Sequence, residues 1–206
     1  MKDKGYGVVM NWNYVTVSLV VFTILTVIVM YVPACRAFDM SLLKTIQGML
    51  APFPVSFAYT ITEFGRANWM LWPQIAAVST IVSHRRYLHA FLLVFFTQIS
   101  FHLTGFIKDF VCRERPCSGY SGFSFPSTHA VTTMCFYGII VYLILHFVKN
   151  EFWRYFLAIF FGIFIFLVAL SRLWIGVHFP IDVVAGLFLG FMLVNLYIIT
   201  IKFFKA

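Results

Sequence analysis

The run YVTVSLVVFTILTVIVMYV, residues 14–32, contains no Asp, Glu, Lys, Arg or His. It is as long as the stretch that crosses the hydrocarbon core of a bilayer, about 20 residues. Trp12, Tyr14 and Tyr31 flank it as aromatic anchors at the two interfaces. Outward from this run, stretches free of Asp, Glu, Lys and Arg recur at residues 67–83, 87–107, 129–148, 155–170 and 183–201, so six spans are expected. They are continuously apolar and about twice the length of a barrel strand, which predicts helices: an all-α polytopic membrane protein. Composition agrees, because 206 residues carry only 15 Lys and Arg and 7 Asp and Glu, against 62% hydrophobic residues and a mean hydropathy of +0.92. A soluble globular domain is excluded, and six spans occupy nearly the whole chain, leaving one domain over residues 1–206.

The net charge of +8 does not point to nucleic acid, because the basic residues are scattered between apolar runs without a basic stripe or a recognition motif. Cys35, Cys112, Cys117 and Cys135 are too few and too unevenly spaced for a disulfide framework or a zinc site. Between the first two spans, residues 37–66 are too polar to cross and too apolar for a free loop. Leu42, Leu43, Ile46, Met49 and Leu50 recur at helical spacing, with Asp39 near the start and Pro52 and Pro54 beyond the end, which predicts a short amphipathic interfacial helix or a helix packed across the bundle.

With the N-terminus inside, the inner face carries Lys2, Lys4, Arg85, Arg86, Lys149, Arg154, Lys202 and Lys205, with Asp3 and Glu151 as its acids. The outer face carries Arg36, Lys44, Arg66, Lys108, Arg113, Arg115 and Arg172. Three of the outer cations belong to the cluster described next; without them the excess lies inside, which predicts both termini in the cytoplasm. Lys2 and Lys4 ahead of an apolar run also have the form of a secretion signal, with Val32-Pro33-Ala34-Cys35 as a faint cleavage pattern; a retained span is the expectation.

Ionisable residues at membrane level are costly, so their clustering marks function. They gather in two loops that follow odd-numbered spans and therefore face one compartment. The first runs from Lys108 through Arg115 and Pro116 to Pro126-Ser127-Thr128-His129, and the second from Ser171-Arg172 to His178 and Asp182. Lys108, Arg115 and Arg172 supply three cations for a phosphoryl group, and Ser127 with the N-terminus of the fourth span supplies an anion site. Two imidazoles, His129 and His178, suit a displacement in two steps, one attacking phosphorus while the other protonates the leaving oxygen and then activates water. Asp182 lies four residues after His178 and either orients its ring or, with Pro180 at the first helical position, caps the helix. Cys112 and Cys117 bracket Arg115, where a disulfide would stiffen the phosphate clamp; free thiols are the simpler expectation. His84, His89, His102 and His146 lie on or beside spans without ligand spacing and are expected in core or interface roles.

The pattern Lys108-x6-Arg115-Pro116, then Pro126-Ser127-x-His129, then Ser171-Arg172-x5-His178-x3-Asp182 resembles the three signature motifs of the type 2 phosphatidic acid phosphatase (PAP2) superfamily, membrane lipid phosphatases related to vanadium haloperoxidases. The resemblance implies that Lys108, Arg115, Ser127 and Arg172 hold the phosphate, with His178 as nucleophile, His129 as acid and Asp182 supporting His178. Pro116, Pro126 and Ser171 complete the motifs structurally. Thr128 departs from the glycine usual between the serine and histidine of the second motif and places a hydroxyl and extra bulk beside the phosphate. The function implied is hydrolysis of a lipid phosphate or diphosphate at the outer face of the cytoplasmic membrane through a phosphohistidine. Undecaprenyl diphosphate is the leading substrate, with lipid A 1-phosphate, phosphatidylglycerophosphate and phosphatidate as alternatives. No metal, cofactor or obligate protein partner is expected. A non-catalytic lipid-binding or carrier protein on the same fold is the contrasting reading; it needs the cations but not both imidazoles.

Overall fold

The computed structural model describes residues 12–205; Lys2, Asp3 and Lys4, which enter the orientation count, lie outside the described residues. Eight helices follow in order among the described residues: α1 (Trp12–Tyr31), α2 (Ala34–Leu50), α3 (Val55–Glu63), α4 (Ala67–Ser83), α5 (Tyr87–Val111), α6 (Thr128–Phe147), α7 (Glu151–Trp174) and α8 (Pro180–Lys205). Five of them, α1, α5, α6, α7 and α8, are long and apolar enough to cross a membrane. Helix α4 occupies the second expected span with 17 residues and Pro73 inside it, about a turn short of a hydrocarbon core roughly 30 Å thick.

The long helices overrun the expected boundaries because polar residues are tolerated once they have partners. Helix α7 starts at Glu151, where the Asn150 side chain accepts from the Trp153 amide at 3.1 Å and caps the first turn. It continues through Arg172, four residues before the next glycine. Helix α5 runs on past Lys108 and ends at Cys112, whose left-handed backbone (φ 54°) sends its amide back to the Lys108 carbonyl. Residues 37–66 form two helices: α2 begins before Asp39, and Pro33, not an acidic residue, precedes it without a side-chain cap. Asp39 is therefore no helix-start signal; it is fully buried on the face that packs against α7 and α8.

Helix α6 forms the centre, packed against α5, α7 and α8, while α1 lies along α8 and α3 on α7. Two glycines of α8 set the closest approach. A Cβ at Gly190 would lie 2.6 Å from the Val131 carbonyl, and one at Gly186 would lie 2.9 Å from that of Ser127. Two small residues four apart let the helix backbones meet, as in other membrane bundles. Their contact brings the start of α6 against the start of α8. The core of Val131, Cys135, Phe136, Ile139, Leu189, Leu193, Tyr197 and Ile198 fills the interface below. His89, on α5, joins this core through a 2.7 Å hydrogen bond to the Tyr197 hydroxyl. By contrast, α1 exposes most of its apolar side chains, a surface suited to lipid and not to water.

An apolar cavity of about 790 Å³ lies between the C-terminal halves of α4 and α6, lined by Ile81, Ile140, Leu143 and Phe147 among others. It is remote from the motif residues at the opposite end of α6. Chemistry, not cavity size, locates the candidate site.

Candidate active site

Three pieces of chain converge at one end of the bundle: the end of α5 with loop 112–127, the start of α6, and the turn 175–179 between α7 and α8. The loop is stitched by backbone. The Ser124 amide donates to the Arg113 carbonyl at 2.7 Å, and the Ser124 hydroxyl donates to the Glu114 carbonyl. Phe125 is fully buried and stacks on Phe22, anchoring the loop before Pro126. The Ser127 amide donates to the Asp182 carbonyl at 3.0 Å, which fixes the second motif directly to the third.

The three cations lie close enough to influence one another electrostatically. Lys108 Nζ donates to the carbonyls of Phe123 at 2.6 Å and Ser124 at 3.3 Å. Arg115 Nε donates to the Gly122 carbonyl, and a terminal nitrogen reaches the Val177 carbonyl at 3.0 Å. Arg172 is buried and donates to the Thr62 hydroxyl of α3. Its Nε has no partner among the described residues, nor has the buried Ser127 hydroxyl. Ser127 occupies the N-cap position of α6 without capping it by its side chain. Two buried donors thus stand ready at a helix N-terminus flanked by cations, a combination that binds oxyanions.

The imidazole of His178 is buried. Arg115 lies 3.2 Å from its Nε2, and because a guanidinium only donates, Nε2 must be the acceptor nitrogen and Nδ1 the protonated one. Nδ1 faces Asp182 Oδ2 at 3.6 Å, close but longer than a formed hydrogen bond. Burial pulls the His178 pKa down to about 4, against the opposing pull of Asp182 and with Lys108 and Arg172 adding to the fall. At neutral pH the ring therefore presents a neutral lone pair on Nε2. His129, on the first turn of α6, is partly buried and lies within electrostatic reach of Arg172, His178 and Lys108. A Cβ at Gly65 would come within 2.7 Å of its ring, so the α3–α4 corner covers His129 closely.

Each expected site residue can now be placed. Lys108, Arg115, Ser127, His129, Arg172, His178 and Asp182 are gathered together. Thr128 is the first residue of α6, and its carbonyl accepts the Thr132 hydroxyl. Pro116 follows Arg115 in the loop, and Ser171 turns its hydroxyl back to the Val168 carbonyl within α7. All four cysteines are free thiols, Cys112 and Cys117 included.

Two residues escaped the sequence reading. Arg113 donates to Asp182 Oδ1 at 2.5 Å and to Asp39 Oδ2 at 2.8 Å, with its guanidinium 4.1 Å above the Phe179 ring. Asp39 Oδ1 accepts the Ile181 amide at 3.1 Å, and Asp182 Oδ2 accepts the Phe179 amide at 2.9 Å. Burial raises the pKa of Asp39, while Arg113 and the Ile181 amide hold it down. The available signal was a lone acid in an apolar stretch and a second arginine inside the first motif; nothing in their spacing pairs residues 74 positions apart.

Comparison with known proteins accords with this arrangement. The profile of the PAP2 superfamily matches residues 16–205. Phosphatidylglycerophosphatase B of Bacillus subtilis (strain 168) is 27% identical over 189 residues, covering 87% of this chain and 91% of the relative. Lipid A 4'-phosphatase of Bacteroides thetaiotaomicron is 28% identical over 173 residues, covering 74% and 72%. Among solved structures, the transmembrane PAP2 type phosphatidylglycerolphosphate phosphatase from Bacillus subtilis superposes with a TM-score of 0.83 at 25% identity, over 92% of this chain and 96% of that one. Aquifex aeolicus LpxE shares the fold, with a TM-score of 0.58 at 18% identity over 77% and 93%. Fold and site together define an all-helical integral membrane protein of the lipid phosphatase type. The chain belongs to the PAP2 superfamily.

Proposed function

We propose that this protein hydrolyses the phosphomonoester of a membrane lipid through a phosphohistidine on His178. The observation that carries this reading is the polarity of His178: Arg115 meets Nε2, Asp182 faces Nδ1, and the nucleophilic lone pair thereby points toward the cations. The Nε2 lone pair attacks phosphorus, and the bond from phosphorus to the lipid oxygen breaks. His129 delivers a proton to that oxygen. Water then attacks the phosphohistidine as His129 takes its proton, the P–N bond breaks, and inorganic phosphate leaves with His178 neutral again. Lys108, Arg115, Arg172 and the Ser127 hydroxyl hold the phosphoryl oxygens, and their charges fill the role a metal ion would otherwise take. Asp182 stabilises the imidazolium character that develops at His178.

The relatives bear on substrate. Similarity along nearly the whole length to proteins named for phosphatidylglycerophosphate supports a glycerolipid phosphomonoester ahead of undecaprenyl diphosphate, the expectation from sequence. Phosphatidate and lipid A phosphates complete the set. In this reading α4 is a sixth, short crossing, both termini are cytoplasmic, the site opens outward at headgroup level, and α2 and α3 lie along the interface.

The test is phosphate release by detergent-purified protein from phosphatidylglycerophosphate, phosphatidate, undecaprenyl diphosphate and a lipid A phosphate, with chelator present, beside His178→Ala. Release that survives chelation, is lost in the variant and is fastest with phosphatidylglycerophosphate is expected. Turnover retained by His178→Ala overturns the phosphohistidine, and no release from any lipid by folded protein favours the non-catalytic reading.

A further inference from the structure

We propose that Asp39 and Arg113 are positioning residues that set both the orientation and the residual charge of the carboxylate behind His178. The inference rests on the phosphohistidine reading above and extends it to two residues outside the motif positions.

Three charged side chains meet out of water: those of Asp39 and Asp182 are fully buried and that of Arg113 is 9% exposed. Arg113 has one terminal nitrogen on each carboxylate. Each carboxylate spends its second oxygen on the same short turn, Asp182 on the Phe179 amide and Asp39 on the Ile181 amide, while the guanidinium lies over Phe179. The turn between His178 and Asp182 is thus gripped by a side chain from α2 and another from loop 112–127, and the α2 contact comes from 142 residues away in sequence.

Charge explains why the cluster has three members and not two. A buried Arg113–Asp182 pair alone would be neutral, and a carboxylate neutralised by its own guanidinium gives little support to a positive imidazole. With Asp39 present, two carboxylates share one guanidinium and the cluster keeps one net negative charge beside His178. That charge is compensated when the imidazole becomes cationic on attack at phosphorus. The arrangement therefore favours the transition state over the resting state, which is where binding energy accelerates a reaction. A staple serving stability alone would be replaceable by apolar packing, since burying ions is costly.

The experiment compares full-length wild type, Asp39→Asn, Arg113→Lys and His178→Ala in detergent, measuring kcat and KM for the preferred lipid phosphate, inhibition by vanadate as an analogue of the transferring phosphoryl group, and Tm. Asparagine keeps the shape of Asp39 but removes the extra charge. Lysine keeps the charge of Arg113 but cannot fork between two carboxylates. For both variants kcat is expected to fall about 10- to 100-fold, the range for losing a group that orients another, with KM within about twofold. Vanadate inhibition weakens by a factor similar to the loss in kcat, because the analogue needs the same support of His178. If Asp39→Asn does not fold, Arg113→Lys, which opens the fork while keeping the charge, still tests the orientation. Wild-type kcat and vanadate inhibition in either folded variant, with His178→Ala inactive, overturns the positioning role and leaves the phosphohistidine standing. A fall in kcat with vanadate inhibition unchanged and Tm lowered assigns the pair to stability alone. Turnover by His178→Ala overturns the underlying mechanism instead.

Discussion

Gly65→Ala probes the part played by His129, because its methyl group presses on that ring without replacing it. Gly65 lies in the corner between α3 and α4 and has no left-handed backbone requirement, so the consequence of adding a methyl group is purely one of contact. That methyl carbon would lie 2.7 Å from His129 Cδ2, 2.9 Å from Val168 Cγ1 and 3.2 Å from Thr133 Oγ1, whereas ordinary contact begins at 3.4 Å. Relief requires the imidazole or the corner to shift by about 0.7 Å, and a misplacement near 1 Å at a reacting group costs up to about 100-fold. Overpacking of this size costs about 1–3 kcal/mol in stability as well, a loss that a Tm measurement separates from the kinetic one. The assay is kcat/KM, which reports only steps up to cleavage of the ester, for a lipid phosphate, whose alkoxide leaves poorly, beside an aryl phosphate, whose phenolate leaves without much help. If His129 protonates the leaving oxygen, kcat/KM falls about 10- to 100-fold for the lipid and far less for the aryl ester. Equal losses with the two leaving groups, or an unchanged lipid rate in folded protein, would refute the assignment of His129 as the acid.

Two further outcomes follow from packing and burial. At Gly190 the obstacle to a side chain is the Val131 backbone carbonyl at 2.6 Å; Gly190→Leu is expected to separate α6 from α8 and to lower Tm and folded yield, with Gly105→Leu on open surface as the silent control. His178 in the folded protein binds its proton only near pH 4, because it is buried, whereas the unfolded chain binds one near 6.5. Between these values the unfolded state holds more protons, so stability rises with pH across the window and falls as the solution is acidified through it. Replacing His178 by Gln is expected to flatten that part of the Tm against pH curve, and an unchanged slope would show that folding does not lower the affinity of the ring for its proton.

The membrane class, the family and the candidate site residues were legible along the chain because each rests on short-range information. Uninterrupted apolar runs announce helices in lipid whatever they pack against, and the three motifs carry their chemistry in spacings of a few residues. The same locality misled at the edges. Lys108 and Arg172 were expected beyond the ends of helices, yet both lie inside them, since a long side chain reaches a partner that no window of sequence displays. Asp39 read as the start of a surface helix and proved to be a buried carboxylate held by Arg113, a pairing set by how α2 crosses α7 and α8. Ser127 was equally an N-cap or a ligand on paper; in the structure it occupies the N-cap position with its hydroxyl uncommitted. Composition and pattern thus decide which solvent the chain lives in and which candidate groups it carries. The tautomer of His178, the corner over His129 and the charge shared behind Asp182 arise when helices distant in sequence are pressed together, because hydrogen bonds and buried charges depend on positions in space that periodicity does not encode.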